Sequence, residues 1–286
     1  MLKFCKTLTH LNPVLVYKIM KKYFALFLLF VTLTTHAQRS MFGKHNKYVK
    51  REAPSANTIN VIEAPSNGGS LVLNLDARNV NSLAQTGNPG TWYDLSGNNN
   101  HATLYGSLAY GTGNGGALNF PGGNANYAQA RSAVYFTGSS FTIQSWVYPI
   151  QVLNWNRIID FGNGAGSNNI LLSNSYGQSG APGLYIEGVQ FQANTVLTLN
   201  AWHFVCATFD ASTRLATIYV DGQPNGTRTM NAPVNVTRTL CYIGRSNWGF
   251  GDPNFRGGIG SVQIYNGYLT AAEILSNYNS TKIYYP

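Results

Sequence analysis

From about residue 70 onward the chain is a series of short apolar–polar alternations broken by clusters of Gly, Asn, Ser and Pro. Alternation with period two marks a half-buried strand, and the breaks carry turn chemistry. Ser70–Asp76 sets Leu71, Leu73 and Leu75 on one face and reads as the first strand. Further strands are predicted at His101–Tyr105, Ala117–Phe120, Tyr127–Ala130, Phe141–Tyr148, Arg157–Phe161, Asn169–Ser173, Gly183–Glu187, Val189–Gln192, Thr239–Gly244 and Gly258–Tyr265. The stretch 199–227 organises the rest. Its two runs, Trp202–Phe209 and Leu215–Val220, are dense in the aromatic and β-branched residues that suit a pleated surface. Asp221-Gly222 follows, a pair that favours a two-residue hairpin turn with φ > 0. These runs predict a three-strand antiparallel meander whose third strand starts near Gln223. Trp202–Phe209 is apolar on both alternating faces, so it should be covered on both and lie centrally in its sheet.

One segment has helical signals. In Thr270-Ala-Ala-Glu273 the Thr hydroxyl is placed to accept from the Glu273 N–H while the Glu carboxylate reaches back, a capping box. Leu269 and Ile274 occupy the two positions of a hydrophobic staple. The helix is predicted to run to about Tyr278. Many short strands with regular turns and one late helix give an all-β class: two antiparallel sheets packed as a sandwich, with one short C-terminal helix. No internal repeat is present in the pattern.

Ahead of residue 70 the pattern changes. Met20-Lys-Lys22 leads into the apolar run Tyr23–Leu33 and then Thr35-His36-Ala37, the layout of a secretory signal peptide cut after Ala37. The apolar run is too short to span a bilayer, so the mature chain is expected to have no membrane span. Met20 is the expected true start, and residues 1–37 are read as leader. Residues 38–69, basic and then rich in Pro, Ser and Asn, read as a linker, with Ile59, Val61 and Ile62 able to add a short strand. Residues 70–286 form the domain. The expected location is secreted, extracellular or cell-surface, with the periplasm the other destination an export signal allows.

Several pieces of the domain, in order, resemble laminin-G-like domains of the concanavalin A-like lectin/glucanase jelly-roll family. They are Trp92-Tyr-Asp-Leu-Ser-Gly-Asn98, Ala117-Leu-Asn-Phe120, Phe141-Thr-Ile-Gln-Ser-Trp-Val-Tyr-Pro149, Leu199-Asn-Ala-Trp-His-Phe-Val-Cys-Ala-Thr-Phe-Asp210, Ile218-Tyr-Val-Asp-Gly222, Tyr242-Ile-Gly-Arg245, Val262-Gln-Ile-Tyr-Asn266 and Leu269-Thr-Ala-Ala-Glu-Ile274. The resemblance covers about Ser70 to Asn279 and implies a jelly-roll sandwich. It says less of function, because the matching residues are mostly core and turn positions.

The formal charge of +9 changes meaning once it is located. Ten of the basic residues lie before Glu52, and from Ser70 onward nine basic residues face eight acidic ones. A nucleic-acid reader would carry a basic face, so nucleic acid is not expected as a partner. Catalysis finds little support either. Glycosidases need two carboxylates facing one sugar bond, and catalytic members of the resembled superfamily usually place them two or four residues apart on a strand. Here the closest pair, Asp210 and Asp221, is eleven residues apart, and both read as turn residues. His203 lies in a predicted core strand and reads as a structural histidine.

Three features carry candidate chemistry. Asp94 and Asn98, in Asp94-Leu-Ser-Gly-Asn98-Asn-Asn100, set oxygen side chains at alternate positions, as a calcium loop does; the competing reading is an Asx-turn. The resemblance implies a calcium at the sandwich rim, which makes Ca2+ the candidate ion. Cys206 and Cys241 fall in predicted strands that export would allow to be bridged, and both equally suit small buried positions. Trp146 and Trp202 lie in strands and read as core, and Trp92 as packing beneath its turn. Trp155 and Trp248 lie in loops among amides and charges: Asn154, Asn156 and Arg157 beside the first; Arg245, Asn247, Asp252 and Asn254 near the second. Aromatic faces with amide and charged neighbours are what sugar binding requires. The sequence therefore points to an exported, non-catalytic module that binds glycan or a cell-surface or matrix protein; a structural adhesin without a sugar site and a divergent glycosidase are the alternatives.

Overall fold

A computed structural model of the protein describes residues 64–66 and 68–286. The predicted signal peptide, the strand near Ile59 and nearly all of the linker lie outside them. Sixteen strands and one α-helix are present among the described residues. They are β1 (Leu71–Asp76), β2 (Thr91–Trp92), β3 (Ala102–Tyr105), β4 (Ala109–Gly111), β5 (Ala117–Pro121), β6 (Tyr127–Ala130), β7 (Phe141–Pro149), β8 (Arg157–Gly162), β9 (Ile170–Ser173), β10 (Gly183–Ile186), β11 (Val189–Gln192), β12 (His203–Asp210), β13 (Leu215–Val220), β14 (Gln223–Thr229), β15 (Leu240–Ile243), β16 (Arg256–Tyr265) and α1 (Ala271–Thr281).

These strands form two antiparallel sheets of a jelly-roll sandwich. The first runs β14-β13-β12-β7-β16-β5-β4, with β1 also pairing β16. The second runs β11-β10-β9-β8-β15-β6-β3-β2. Inward residues of both meet in one core that includes Ile143, Val205, Phe209 and Ile264 from the first sheet and Ile159, Phe161, Leu184 and Ile243 from the second. The meander is as expected. β12 pairs β13, β13 pairs β14, and the turn sits at Asp221 (φ 51) and Gly222 (φ 78).

The double-faced apolarity of β12 has a physical cause. Val205, Ala207 and Phe209 face the other sheet, while Phe204 and Cys206 face outward into a second apolar cluster with Trp146, Trp202, Tyr285, Leu269 and Ile274. The segment 269–285, with α1 at its centre, covers this outer face. Thr270 caps α1 with both bonds of the capping box, and both staple residues are fully buried. The helix continues past Tyr278 to Thr281, whose hydroxyl accepts from the Trp146 indole at 2.9 Å. Strands β2 and β4 have two and three residues, too few to show a period.

The outward face of the second sheet is partly exposed along β3, β6, β15, β10 and β11, while β8 and β9 are buried. Register places Gln129, Tyr242, Asp160, Leu171, Tyr185 and Gln190 directly opposite one another on successive strands, so they share that face. Tyr105 and Tyr127 are opposite on β3 and β6, two positions along from Thr103 and Gln129.

Candidate functional site: a cleft on the second sheet

The outward face of β8 to β11 is roofed at one end by two loops, and between them lies a cleft of about 350 Å3. Trp155, Arg157, Tyr185, Gln190, Trp248 and Asp252 line it. Trp155 comes from the β7–β8 loop and has φ 49, in the left-handed region that a bulky residue rarely adopts. Its N–H bonds the Gly177 carbonyl at 2.8 Å, and its ring packs on Tyr176 at 4.5 Å. Trp248 comes from the β15–β16 loop, remains 36% exposed, and meets Tyr185 edge-on at 5.6 Å. An aromatic held in place and still open to solvent can stack on the C–H face of a sugar.

Arg157 ties the two loops together. Its guanidinium lies 5.2 Å from the Trp155 ring centre and 5.4 Å from that of Trp248, and it donates to the Trp155 carbonyl. It bonds Asp252 at 2.7 Å and Asp160 at 3.4 Å. Asp252 also accepts from Ser246 Oγ at 3.1 Å, which closes the β15–β16 loop on itself. Asp160 is fully buried behind Arg157. It accepts from Arg157, from the Asn247 backbone and side chain, and from Asn169. Burial pushes its carboxyl up, against the opposing pull of Arg157 and of the amide hydrogen bonds.

The loop residues expected from sequence therefore divide. Trp155, Trp248, Arg157 and Asp252 converge on one cleft. Asn154 stands behind Asp252, with its amide 3.5 Å from the carboxylate. Asn247 is spent on Asp160. Asn156 is fully buried, and Asn254 bonds the Gly123 and Asn126 carbonyls at 3.0 Å, so neither reaches the cleft. Arg245 lies over Tyr127 and Tyr242 on the same sheet face rather than in the cleft lining. Sequence reasoning missed Tyr185 and Asp160. An aromatic on the polar phase of Gly183-Leu-Tyr-Ile186, and an acid inside an apolar strand, were the signals for them.

The remaining candidates are structural. Asp94 accepts from the backbone N–H groups of Asn74, Ser96 and Asn100 and from Ser96 Oγ, all within 2.9 Å. Asn98 turns its amide N–H toward the Leu71 carbonyl at 3.0 Å. Donors rather than oxygens surround the Asp94 carboxylate, the arrangement of an Asx-turn that ties β1 down, and it does not fit a calcium cage. Among the described residues no group of three or more His, Cys, Asp or Glu is placed to hold a metal. Of the two readings of the cysteines, bridged or singly buried, the second holds. Cys206 faces outward from the first sheet and Cys241 inward from the second, and both thiols are free and buried. Burial raises both, and that of Cys241 is pushed up to about 12. His203 sits between Asp221 (3.0 Å) and the Thr198 carbonyl (3.1 Å), a satisfied structural position.

The two-sheet antiparallel sandwich with its covering C-terminal helix defines the class. A family model for the concanavalin A-like lectin/glucanases superfamily, of laminin-G type, matches residues 122–275, and the chain belongs to that family. No curated protein sequence matches it. Among solved structures it is similar to domain 4 of AbnA, a GH43 extracellular arabinanase from Geobacillus stearothermophilus, in complex with arabinotriose. The identity is 19%, the match covers 73% of this chain and 98% of that one, and the TM-score is 0.58. It is also similar to Trypanosoma rangeli sialidase (19% identity, 75% of this chain, TM-score 0.55) and to the binding domain of botulinum neurotoxin serotype G (17%, 73%, 0.55). The match takes in 34% of the sialidase and 50% of the toxin domain. At these identities the likeness is one of fold.

Proposed function

We propose that the protein is an exported, non-catalytic glycan-binding module whose ligand lies in the cleft under Trp155 and Trp248. One observation carries this reading: two loop tryptophans and Tyr185 are gathered around a single cleft with Arg157 and Asp252 between them. Apolar ring faces beside a few fixed polar groups are the make-up of a sugar site. The other cleft of the same volume, beside Tyr148 and Trp202 on the first sheet, has no charged residue in its lining. Domain 4 of the arabinanase, solved with arabinotriose, supports a carbohydrate ligand on this architecture.

A binding role is favoured over hydrolysis because glycoside hydrolysis generally needs two carboxylates at the sugar bond. Asp160 is fully buried and saturated with donors, which leaves Asp252 as the acid at the cleft, itself paired with Arg157. The test is a glycan panel probed with the purified protein, with reducing ends assayed in parallel. Binding of a defined oligosaccharide class without release of new reducing ends is expected. Binding confined to protein partners would favour the adhesin alternative, and released sugar would favour a glycosidase.

A further inference from the structure

Beyond the tryptophan cleft, the same sheet face carries a second, differently built surface. Tyr105 and Tyr127 stack at 4.6 Å, and Tyr242 meets Tyr127 edge-on at 5.4 Å. The Arg245 guanidinium lies 4.3 Å from the Tyr127 ring centre and 4.9 Å from that of Tyr242. Stacking on two aromatic planes fixes the guanidinium's orientation and leaves its N–H edges directed away from the rings. Each of the other guanidiniums on this face has oxygen partners. Arg157 holds two aspartates, and Arg131 holds the Asn98 carbonyl and Asn100 Oδ1. Arg245 makes no ion pair or hydrogen bond with any described residue. A further cleft of about 340 Å3 lies along β3 and β6, lined by Tyr105, Gln129 and Arg131.

We propose that Arg245 and the tyrosines beneath it form a second subsite, which takes an oxyanion group, carboxylate or sulfate, of an acidic polysaccharide lying across the sheet. The proposal rests on the glycan reading of the neighbouring cleft and specifies its ligand class. Between the two surfaces the sheet is roofed: Asp160 and Leu171 are buried, the first under Arg157 and Asn247. Tyr242, under Arg245, is directly opposite Asp160 of β8, the strand whose Arg157 lines the tryptophan cleft, and Gln129 is opposite Tyr242 on the other side. Adjacent strands are about 4.8 Å apart, so from Gln129 on β6 to Gln190 on β11 the row crosses five gaps, roughly 24 Å. A ligand that reaches both surfaces must therefore be an extended chain that passes over the loops covering Asp160, rather than a single sugar. An oriented guanidinium grips carboxylate or sulfate through two parallel N–H bonds.

The experiment compares two polymer pairs that differ only in charge: polygalacturonate against its methyl ester, and dextran sulfate against dextran. In the wild-type protein at least one anionic member should bind about tenfold more tightly than its neutral counterpart, the size expected of a charge-assisted hydrogen-bonded contact. The polymer pair that shows the preference identifies carboxylate or sulfate. Arg245→Gln should abolish the preference, and Arg245→Lys, which keeps the charge without the fork, should retain only part of it. Arg214→Gln, on the β12–β13 hairpin of the other sheet, is the control for general polyanion attraction and should leave it intact. The subsite is overturned if the preference survives Arg245→Gln, if Arg214→Gln removes it equally, or if neutral and anionic members bind alike through Trp248. In that last case the glycan reading still stands. If none of the four polymers binds, the acidic-polysaccharide subsite is overturned, while the glycan reading is decided separately by the glycan panel. The wild-type preference should also shrink as salt rises, and this holds whether or not a variant folds.

Discussion

Replacing Arg157 with Met tests the electrostatic frame of the site. Arg157 is 3% exposed in its side chain, and its partner Asp160 is fully buried. Methionine fills a similar volume but leaves Asp160 with amide donors alone. Removing one member of a buried ion pair costs about 3–5 kcal/mol, because the remaining charge is uncompensated. For a domain of this size, each kcal/mol moves the melting point by about 2–4 °C, so a fall of at least roughly 6 °C is expected. The pH dependence has a definite sign. Burial already raises the Asp160 carboxyl above its ordinary 3.8, and losing the arginine raises it further. A carboxyl raised on folding contributes stability at low pH that is lost as pH rises through its folded value. The deficit of Arg157→Met should therefore be larger at neutral pH than near about pH 4. Adding Asp160→Asn should recover much of the loss, since the fully buried carboxylate is then gone and Asp252 is partly exposed. Chemical denaturation of the wild type, single and double variants at both pH values is the assay. A single variant as stable as wild type at neutral pH, or a double variant no better than the single, would refute the reasoning.

Other consequences are open to direct measurement. Gly222→Val should cost more than about 1 kcal/mol, because φ 78 resists a β-branched residue and a Cβ there would come within 3.0 Å of Tyr278 on α1; an unchanged denaturation midpoint would contradict this. Partial burial pushes the Glu273 carboxyl up, but hydrogen bonds from Thr270 and Ser66 outweigh it and hold the group below its ordinary 4.5. Its contribution should thus be complete above pH 4.5 and lost as pH falls through its lowered value, a loss Glu273→Gln should not show in acid melting curves. Cys206 and Cys241 should resist thiol reagents in the native protein and react once it is denatured, with no change in migration on reduction; rapid labelling of the native protein would contradict their burial.

Much of the fold was legible because its signals are local. The alternation of Leu71, Leu73 and Leu75, the Asp221-Gly222 turn and the Thr270–Glu273 box each fix their own segment without long-range information. β2 and β4 were not, since two- and three-residue strands exist only through their partners. The same limit governs the site. The loop tryptophans stand out in sequence as aromatics among amides, and they meet in one cleft. The asparagines beside them do not distinguish themselves, because an amide serves equally well on a sugar hydroxyl or on a backbone carbonyl. Asn254 and Asn247 took the second role. Asp94 reads as a metal loop for a related reason: a row of oxygen side chains does not reveal that three backbone N–H groups are aimed at it. The tyrosine row needs the register of the second sheet, which joins residues from six strands, and no local pattern contains that.

The central claim, that a glycan rests on the loop aromatics of the second sheet, is tested most directly by the affinity of Trp248→Ala. Trp248 is 36% exposed, which on an indole side chain leaves roughly 90 Å2 open to a ligand. Covering half of that at about 25 cal/mol per Å2 is worth ~1 kcal/mol, about a fivefold change in Kd. Calorimetric titration of wild type and Trp248→Ala with the best ligand from the glycan panel should show at least that loss, with melting points within a few degrees of each other. Equal affinities, or a variant that no longer folds, would contradict the account, the first by removing the ring from the site and the second by making it a packing anchor.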